Sequence, residues 1–532
     1  MPTLDWIGKD KVINHHKDVP YKVLERKYSF DESGMHKEDI HSNNMIIHGD
    51  NLEALKSFLP QYEGKIKCIY IDPPYNTGNE GWIYNDNVND PKIKKWLGEV
   101  VGKEGEDLSR HDKWLCMMYP RLVLLQKLLA DDGAIFISID DNEHANLLLV
   151  CNEVFGSNNF IQDIIWNKRV SPARDAKFFS TDHEYILVYS KNKESLTTHF
   201  LPRTEKNNSY YKNPDNDPRG PWNSAAYTCN KSRDERPNLY YPITNPYTGE
   251  KIFPKESAVW AYSEETYQQH VRDNLLYWGV NGEAKQPRKK AFLSEVGDVV
   301  PRSVWSHSDV GSTQKATMEN NTIFNMRAFS YPKVSTLVER IIQIASDKDS
   351  IVLDSFAGSG TTAHAVLNMN KSDGGNRKFI LVEMGDYADT ITAERVKRVI
   401  NGYGEGKNAV EGTGGNFSYY ELGNPLFMQD GTINDEVDIT EVRKYVWYTE
   451  TNGIEYKEDI QEKYFLGSYN DTAYYFYYEK DRVTILDYEF LTSVHKKEQT
   501  YVMYADSCAL SDSDLQKWNI TFKKIPRDIE HI

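Results

Sequence analysis

An α/β protein with a largely parallel sheet is predicted from two regions of the sequence and from the contrast with what lies between them. Short β-branched runs alternate with amphipathic segments over residues 45–190, and the same alternation resumes over 334–400. Between them, residues 191–311 lose that rhythm; Pro, Asn, Tyr, Trp and basic residues dominate there. The pattern implies one sheet built from two separated halves, 1–190 and 312–425, around an insert, with a tail over 426–532. A chain of 532 residues exceeds what one hydrophobic core serves, so two to four structural units are expected.

In chain order, the first forty residues are polar and mixed in charge and read as an irregular lead-in. Residues 45–50 predict a strand, and 51–58 a short helix with Leu52, Leu55 and Leu59 on one side. The run 66–71 is short, apolar and β-branched, and Pro73 and Pro74 stop it at once. A turn-rich loop at 76–81, continued through Trp82, Tyr84 and residues 85–89, is expected to act as a lid. Residues 114–129 predict a helix, 134–139 a strand, 145–155 a helix, and 161–166 and 185–189 further strands.

After the insert, with its strong turn at 245–250, Tyr331-Pro332-Lys333 leads into an amphipathic helix at 334–345. A strand at 350–354, a tight loop at 355–360 and a helix at 361–369 follow, then a strand at 378–383 and a helix at 389–400. The Gly-rich residues 402–415 read as a flexible connection. The tail shows Tyr-rich alternation at 474–478 and 499–504, which predicts a small separate domain with its own sheet.

Composition narrows the class. No stretch approaches the ~20 apolar residues that span a bilayer, and the first residues lack a basic-then-apolar signal pattern, so a soluble cytoplasmic protein is expected. The five cysteines (Cys68, Cys116, Cys151, Cys229, Cys508) are scattered and never in C-x-x-C pairs, which argues against a disulfide framework and a zinc site. The net charge of −16 argues against a nucleic-acid partner on its own, but the tail carries about half of that excess. Upstream lie basic groups at Lys168, Arg169, Arg174 and Lys177, at Lys231, Arg233 and Arg236, and at Lys285, Arg288, Lys289 and Lys290. Because potential is local and screened within ~10 Å, a positive cleft can exist on an acidic protein.

Two motifs carry chemistry. Asp72-Pro73-Pro74-Tyr75 displays an acid, a fixed carbonyl and an aromatic ring on a stiff backbone at a strand tip. In open α/β sheets ligands sit at that edge. As a bare strand stop the same tetrapeptide would mean nothing more, and the second motif decides between the readings. Leu353-Asp354-Ser355-Phe356-Ala357-Gly358-Ser359-Gly360 joins a strand to a helix start, where Gly358 and Gly360 let a cofactor approach the backbone. Glu383 ends the following strand about twenty residues on, where an acid can accept both ribose hydroxyls of a nucleoside cofactor. The loop has only a G-x-G-x-x-A shape, and a phosphate-binding G-x-x-x-x-G-K loop is absent.

Together the motifs resemble those of the DNA amino-methyltransferases, which methylate exocyclic nitrogens with S-adenosylmethionine. The catalytic tetrapeptide precedes the cofactor loop, the permuted β-type order of that family, which implies a Rossmann-like methyltransferase sheet with target recognition in the insert. The string from Asp72 through Asn76-Thr77-Gly78-Asn79 to Asn87 resembles the methylation subunit of type III restriction–modification systems. The resemblance implies double-stranded DNA as partner, a homodimer helped by the C-terminal region, and a possible restriction subunit. It implies that Asp354, Phe356, Gly358, Gly360 and Glu383 line the cofactor pocket. Asp50 reaches the adenine end of that pocket or simply caps the next helix.

The implied chemistry is coherent. An exocyclic amine is a poor nucleophile because its lone pair is delocalised into the ring. Hydrogen bonds from its two N–H groups to the Asp72 carboxylate and the Pro73 carbonyl favour a pyramidal nitrogen, and Tyr75 stacks the flipped base. Positioning supplies the rate, with no metal required. The D-P-P-Y form favours adenine N6. A cytosine-N4 enzyme, an enzyme acting on RNA or a protein amide, and an inactive recognition subunit are the alternatives.

Overall fold

Parallel strands buried on both faces need helices on both sides, and the chain supplies them in alternation. The computed structural model describes residues 4–77, 110–174, 176–451, 454, 456–457 and 462–529. Its strands are β1 (Lys22–Asp31), β2 (Gly34–His36), β3 (Met45–His48), β4 (Ile66–Ile71), β5 (Leu129–Ile139), β6 (Phe160–Asn167), β7 (His183–Ser190), β8 (Val304–Trp305), β9 (Ile351–Asp354), β10 (Lys378–Glu383) and β11 (Asn416–Pro425). Among the described residues they form one 11-stranded sheet in the order β8-β6-β7-β5-β4-β9-β10-β3-β11-β1-β2.

Its centre explains the separated halves. The strands β4, β9, β10 and β3 are neighbours and all parallel, although β9 and β10 lie some three hundred residues beyond β3 and β4 in sequence. Their carboxyl ends therefore open on one edge. Antiparallel pairing enters only around β7 and at the β1–β2 margin.

Helices α1 (Asn51–Tyr62), α2 (Arg110–Leu128), α3 (His144–Cys151), α4 (Thr313–Phe324), α5 (Ser335–Ala345), α6 (Thr361–Asp373) and α7 (Glu394–Asn401) complete the sheet domain. Every residue of β4 is buried. The Lys67 ammonium escapes at the strand's amino end to Asp132 Oδ2 at 2.6 Å and Thr197 Oγ1 at 2.9 Å. α5 buries Leu337, Val338, Ile341 and Ile342, the i, i+1, i+4, i+5 face of an amphipathic helix. Each such fully buried aliphatic side chain contributes roughly 1.5–3 kcal/mol.

The lead-in expected over the first forty residues is instead structured. β1 pairs antiparallel with β11, and β2 returns beside it. Tyr28 stacks on Tyr419 at 5.0 Å between ring centroids. The exposed residues of β1 on its outward face, Glu25 and Lys27, are charged, so the strand presents no apolar run in sequence. The connection expected to be flexible at 402–415 contains a two-stranded ribbon, Gly402–Tyr403 against Val410–Glu411. The lid expected beyond Thr77 lies outside the described residues.

The chain divides into two compact units: Phe200–Pro301, and the remainder. The smaller unit is narrower than the insert expected at 191–311, because the chain stays on the main unit up to His199, whose amide donates to the Ile344 carbonyl at 2.8 Å, and residues 304–305 rejoin the main sheet beside β6. It holds a three-stranded antiparallel sheet of Leu276–Tyr277, Arg288–Phe292 and Trp222–Ala226, and a core of Tyr227, Tyr241, Ile243, Trp260, Tyr267 and Trp278. Lys290, one of its basic residues, is buried on Asp215 at 2.5 Å and Asp217 at 2.8 Å and offers no charge outward.

The tail expected as a separate domain has its own four-stranded sheet, β12 (Phe465–Tyr469), β13 (Thr472–Phe476), β14 (Thr500–Ala505) and β15 (Ile520–Lys524). It nevertheless belongs to the larger unit. Helix α8 (Ile439–Thr451) packs on α1, Tyr448 hydrogen-bonds Glu63, and Tyr445 meets Tyr21 edge-on at 5.0 Å. Among the described residues no helix is long and apolar enough to cross a membrane.

Candidate active site

Asp72, Asp354, Glu383 and Asp50 lie just at or beyond the ends of β4, β9, β10 and β3, so four acids scattered through the sequence share one sheet edge. Strand order reverses there, the position at which open α/β sheets bind ligands.

The Asp72-Pro73-Pro74-Tyr75 turn is locked from behind. The Trp114 indole N–H donates to the Pro74 carbonyl at 2.6 Å. Asn76 closes the turn in the left-handed region (φ +57°), which Asn tolerates, and its amide donates to the Arg110 carbonyl at 3.0 Å and to Glu143. The Pro73 carbonyl has no hydrogen-bond partner among the described residues. It is left as an acceptor beside Asp72.

In front of Asp72 stands a group that sequence reasoning did not identify as part of the site. The Lys333 ammonium donates to Asp72 Oδ1 and Oδ2, each at 2.8 Å, and to the Tyr75 hydroxyl at 2.8 Å. It also lies 3.6 Å from Glu184 Oε2 and 4.9 Å from the Tyr75 ring centroid. Glu184 in turn accepts from Tyr75 at 3.1 Å and from Lys168 Nζ at 2.8 Å. Two buried carboxylates are thus interleaved with two ammoniums. Burial pushes the Asp72 carboxyl above the ordinary carboxylate range, Lys333 pulls it back, and Glu184 adds to the rise. Burial acts on Glu184 too, but Lys333 and Lys168 outweigh it and hold that carboxyl below its usual value.

Beside this cluster is a cavity of about 390 Å³, lined by Tyr75, Asp140, Lys168, Glu184, Arg327 and Lys333 among others. Tyr331 and Pro332 also line it, so the segment read from sequence only as a helix lead-in forms a wall of the site.

The second motif forms a tight cradle. Asp354 accepts from the Phe356 amide at 3.0 Å and the Thr362 hydroxyl at 2.5 Å, and burial pushes its carboxyl up to about 7. Gly358 and Gly360 both have positive φ (+52° and +80°). A Cβ on Gly360 would stand 2.9 Å from the Thr392 carbonyl, whereas one on Gly358 would make ordinary contact with the Phe329 ring at 3.4 Å. Glycine is therefore required at 360 by both backbone and space. Thr392 belongs to a π-helical turn, Ala388–Ala393, that opens the helix expected at 389–400, and its hydroxyl donates to the Gly358 carbonyl at 2.6 Å.

Glu383 faces the cradle. Its Oε2 accepts from the Gly358 amide at 2.7 Å and its Oε1 from the Gly385 amide at 2.8 Å, and burial pushes its carboxyl upward. The Tyr387 side chain and the Met384 amide hydrogen-bond to it as well. The Ser355 hydroxyl is buried without a hydrogen-bond partner, an orphaned polar atom in the loop itself. Phe356 is half-buried against the main core. Asp50 caps α1, accepting from the Leu52 amide at 2.8 Å, and pairs with Arg121 at 3.3 Å. Arg121 also holds Asn51 at 2.5 Å, and Asn51 donates to the Ser355 carbonyl at 2.9 Å. The cap reading of Asp50 is thus realised, and the cap is linked through Arg121 and Asn51 to the glycine loop at Ser355.

A family model described as DNA methylase matches residues 66–394, a span that takes in both motifs. The chain belongs to the DNA methylase family. It is 34% identical over 424 residues to the StyLTI Mod subunit, a type III restriction-modification enzyme of Salmonella typhimurium, covering 74% of this chain and 62% of that protein. The corresponding EcoPI Mod subunit of Escherichia phage P1 is 32% identical over 418 residues, covering 72% and 63%. The type II methyltransferase M.KpnI of Klebsiella pneumoniae is 33% identical over 361 residues, covering 64% and 81%. The chain thus spans less than two thirds of the two Mod subunits. Among solved structures, the cytosine-N4-specific PvuII DNA methyltransferase gives a TM-score of 0.35 at 14% identity over 66% of this chain and 86% of its own, a likeness too slight to bear on function.

Proposed function

We propose that this chain transfers a methyl group from S-adenosylmethionine to the exocyclic N6 of adenine in duplex DNA, as the modification subunit of a type III restriction–modification system in the cytoplasm. The observation that carries this reading is the pairing, on one sheet edge, of the Asp72–Tyr75 turn beside a base-sized cavity with the Glu383-closed glycine cradle. Membership of the DNA methylase family and the likeness to Mod subunits support it.

The residues fit the cofactor: Ser355 offers an unpaired hydroxyl in the glycine loop, and the Glu383 carboxylate is held against the Gly358 amide of that loop. Asp354, Phe356, Gly358, Gly360 and Glu383 would hold it, with Asp50 behind them. When bound, S-adenosylmethionine supplies an electrophilic methyl group. Asp72 accepts one N–H of the target amine and the Pro73 carbonyl the other, which draws the nitrogen lone pair out of the ring plane. Tyr75 stacks the base. The surplus amine proton passes to the Asp72 carboxylate. Incubating duplex DNA with methyl-labelled S-adenosylmethionine and digesting it to nucleosides tests the proposal. Label in N6-methyl-2′-deoxyadenosine supports it; label in N4-methyl-2′-deoxycytidine, or none, contradicts it.

Lys333 makes this chemistry pH-dependent. Asp72 works as the ionised acceptor, so the rate falls as pH drops through its pKa, and burial places that fall above the ordinary carboxylate range. Lys333→Met leaves Asp72 and Glu184 as two buried carboxylates with one fewer cation, a pair that retains a proton. The acid limb of the pH–rate profile is expected to move to higher pH, with the rate lost on its acid side recovering as pH rises. An unmoved acid limb would show that Lys333 does not set the state of Asp72.

A homodimer through the tail, and docking of a restriction subunit, belong to the same proposal. Val483 (72% exposed) and Tyr488 (58%) put apolar surface on the tail's exterior. Val483→Glu combined with Tyr488→Glu is expected to shift sedimentation from dimer to monomer. A double variant that still sediments as a dimer would place the contact elsewhere.

A further inference from the structure

Between β6 and β7 the chain runs out from the sheet edge and back. Its root is part of the candidate site: Lys168 and Glu184, paired at 2.8 Å, close the loop and line the 390 Å³ cavity. The neck is pinned, the Lys168 amide donating to the Asp182 carbonyl at 2.9 Å and the Ala173 amide to Ser180 Oγ at 2.7 Å. Beyond the neck, two adjacent rings face water, Phe178 at 82% and Phe179 at 92% exposure. Scattered exposed apolar residues are ordinary, but neighbouring phenylalanines at a loop tip expose a large apolar area to no structural benefit. Basic residues frame them: Arg169, Arg174 and Lys177, with the Lys177 ammonium 5.2 Å from the Phe178 ring centroid. On a chain of net charge −16 this is a local positive rim.

We propose that Phe178 and Phe179 form a wedge that enters the duplex beside the target and fills the space left by the flipped base, while Arg169, Arg174 and Lys177 sit on the flanking phosphates. The proposal rests on the reading of the chain as a DNA methyltransferase. A base can reach the Asp72–Tyr75 cavity only by leaving the stack, which costs a few kcal/mol, and apolar side chains inserted between base steps offset that cost. Geometry allows it. Phe179 is five residues from Glu184, so the wedge stands within ~18 Å of the cavity wall even on a fully extended chain. Lysine and arginine beside an aromatic tip match a polyanion with flat, stackable interior faces, the combination duplex DNA offers.

The test uses the full chain and two duplexes carrying its recognition sequence, as read from methylated positions. One has the target base paired; the other has an abasic site opposite the target, where leaving the stack costs less. Phe178→Ala combined with Phe179→Ala is expected to slow single-turnover methylation of the paired duplex at least tenfold, while staying within about twofold of wild type on the abasic one. The fluorescence gain of 2-aminopurine at the target position should fall in parallel. Equal losses on both duplexes, or no loss on either, would overturn the wedge. If the wild-type chain methylates neither duplex, it is the proposed function that fails.

Discussion

Asp72→Ala is expected to reduce methyl transfer by ~10³-fold or more while leaving S-adenosylmethionine affinity within about twofold of wild type. The magnitude follows from what the side chain does: it orients and polarises the nucleophile, and loss of that positioning acts on the transition state. The protein should tolerate the change, because the Lys333 ammonium stranded by it still has the Tyr75 hydroxyl at 2.8 Å and Glu184 at 3.6 Å. Cofactor binding is spared because Asp72 is held by Lys333, which lines the cavity, whereas Glu383 closes the glycine cradle. Single-turnover rates and calorimetric cofactor titration on one preparation separate the two effects. Loss of both, in a variant that melts like wild type, would show that Asp72 belongs to the cofactor site.

Glu383→Ala is the second large effect. It removes the proposed acceptors of the ribose hydroxyls and also the partner of the Gly358 and Gly385 amides. Hydrogen bonds to a charged group are worth ~1.5–3 kcal/mol, so cofactor affinity is expected to fall about 10- to 100-fold. Glu383→Gln should be nearly as damaging, since its amide nitrogen would face a backbone N–H with no lone pair to offer. Unchanged affinity in both variants, measured by calorimetry, would remove Glu383 from the cofactor site.

These two sites differ in how far they could be read from sequence. β4 and the cofactor loop were legible because each is local: an apolar run stopped by two prolines, and glycines at a strand–helix junction. The cluster in front of Asp72 was not. Lys333 is 261 residues from Asp72 and Glu184 is 109 from Tyr75, and no spacing rule links them until the sheet brings β4, β7 and the Tyr331–Lys333 segment to one edge. Charge alone misled as well. Lys168 and Lys290 look alike in sequence, yet one lines the cavity and the other is buried on two aspartates of its own unit. β1 was missed because charged outward residues, Glu25 and Lys27, break up its apolar pattern ahead of the buried Tyr28 and Phe30. Asp50 reads in sequence either as a contact to the adenine end of the cofactor or as a helix cap, and the geometry shows the cap.

The central claim is that the Asp72–Tyr75 turn and the glycine cradle make one adenine-methylating centre. Modification-sensitive sequencing of genomic DNA, from a host without its own DNA methylation that expresses this chain alone, tests it most directly. The expected result is N6-methyladenine confined to one recurrent short sequence, absent when the host expresses Asp72→Ala. Unmodified DNA from cells with abundant folded protein, or N4-methylcytosine in its place, would contradict it.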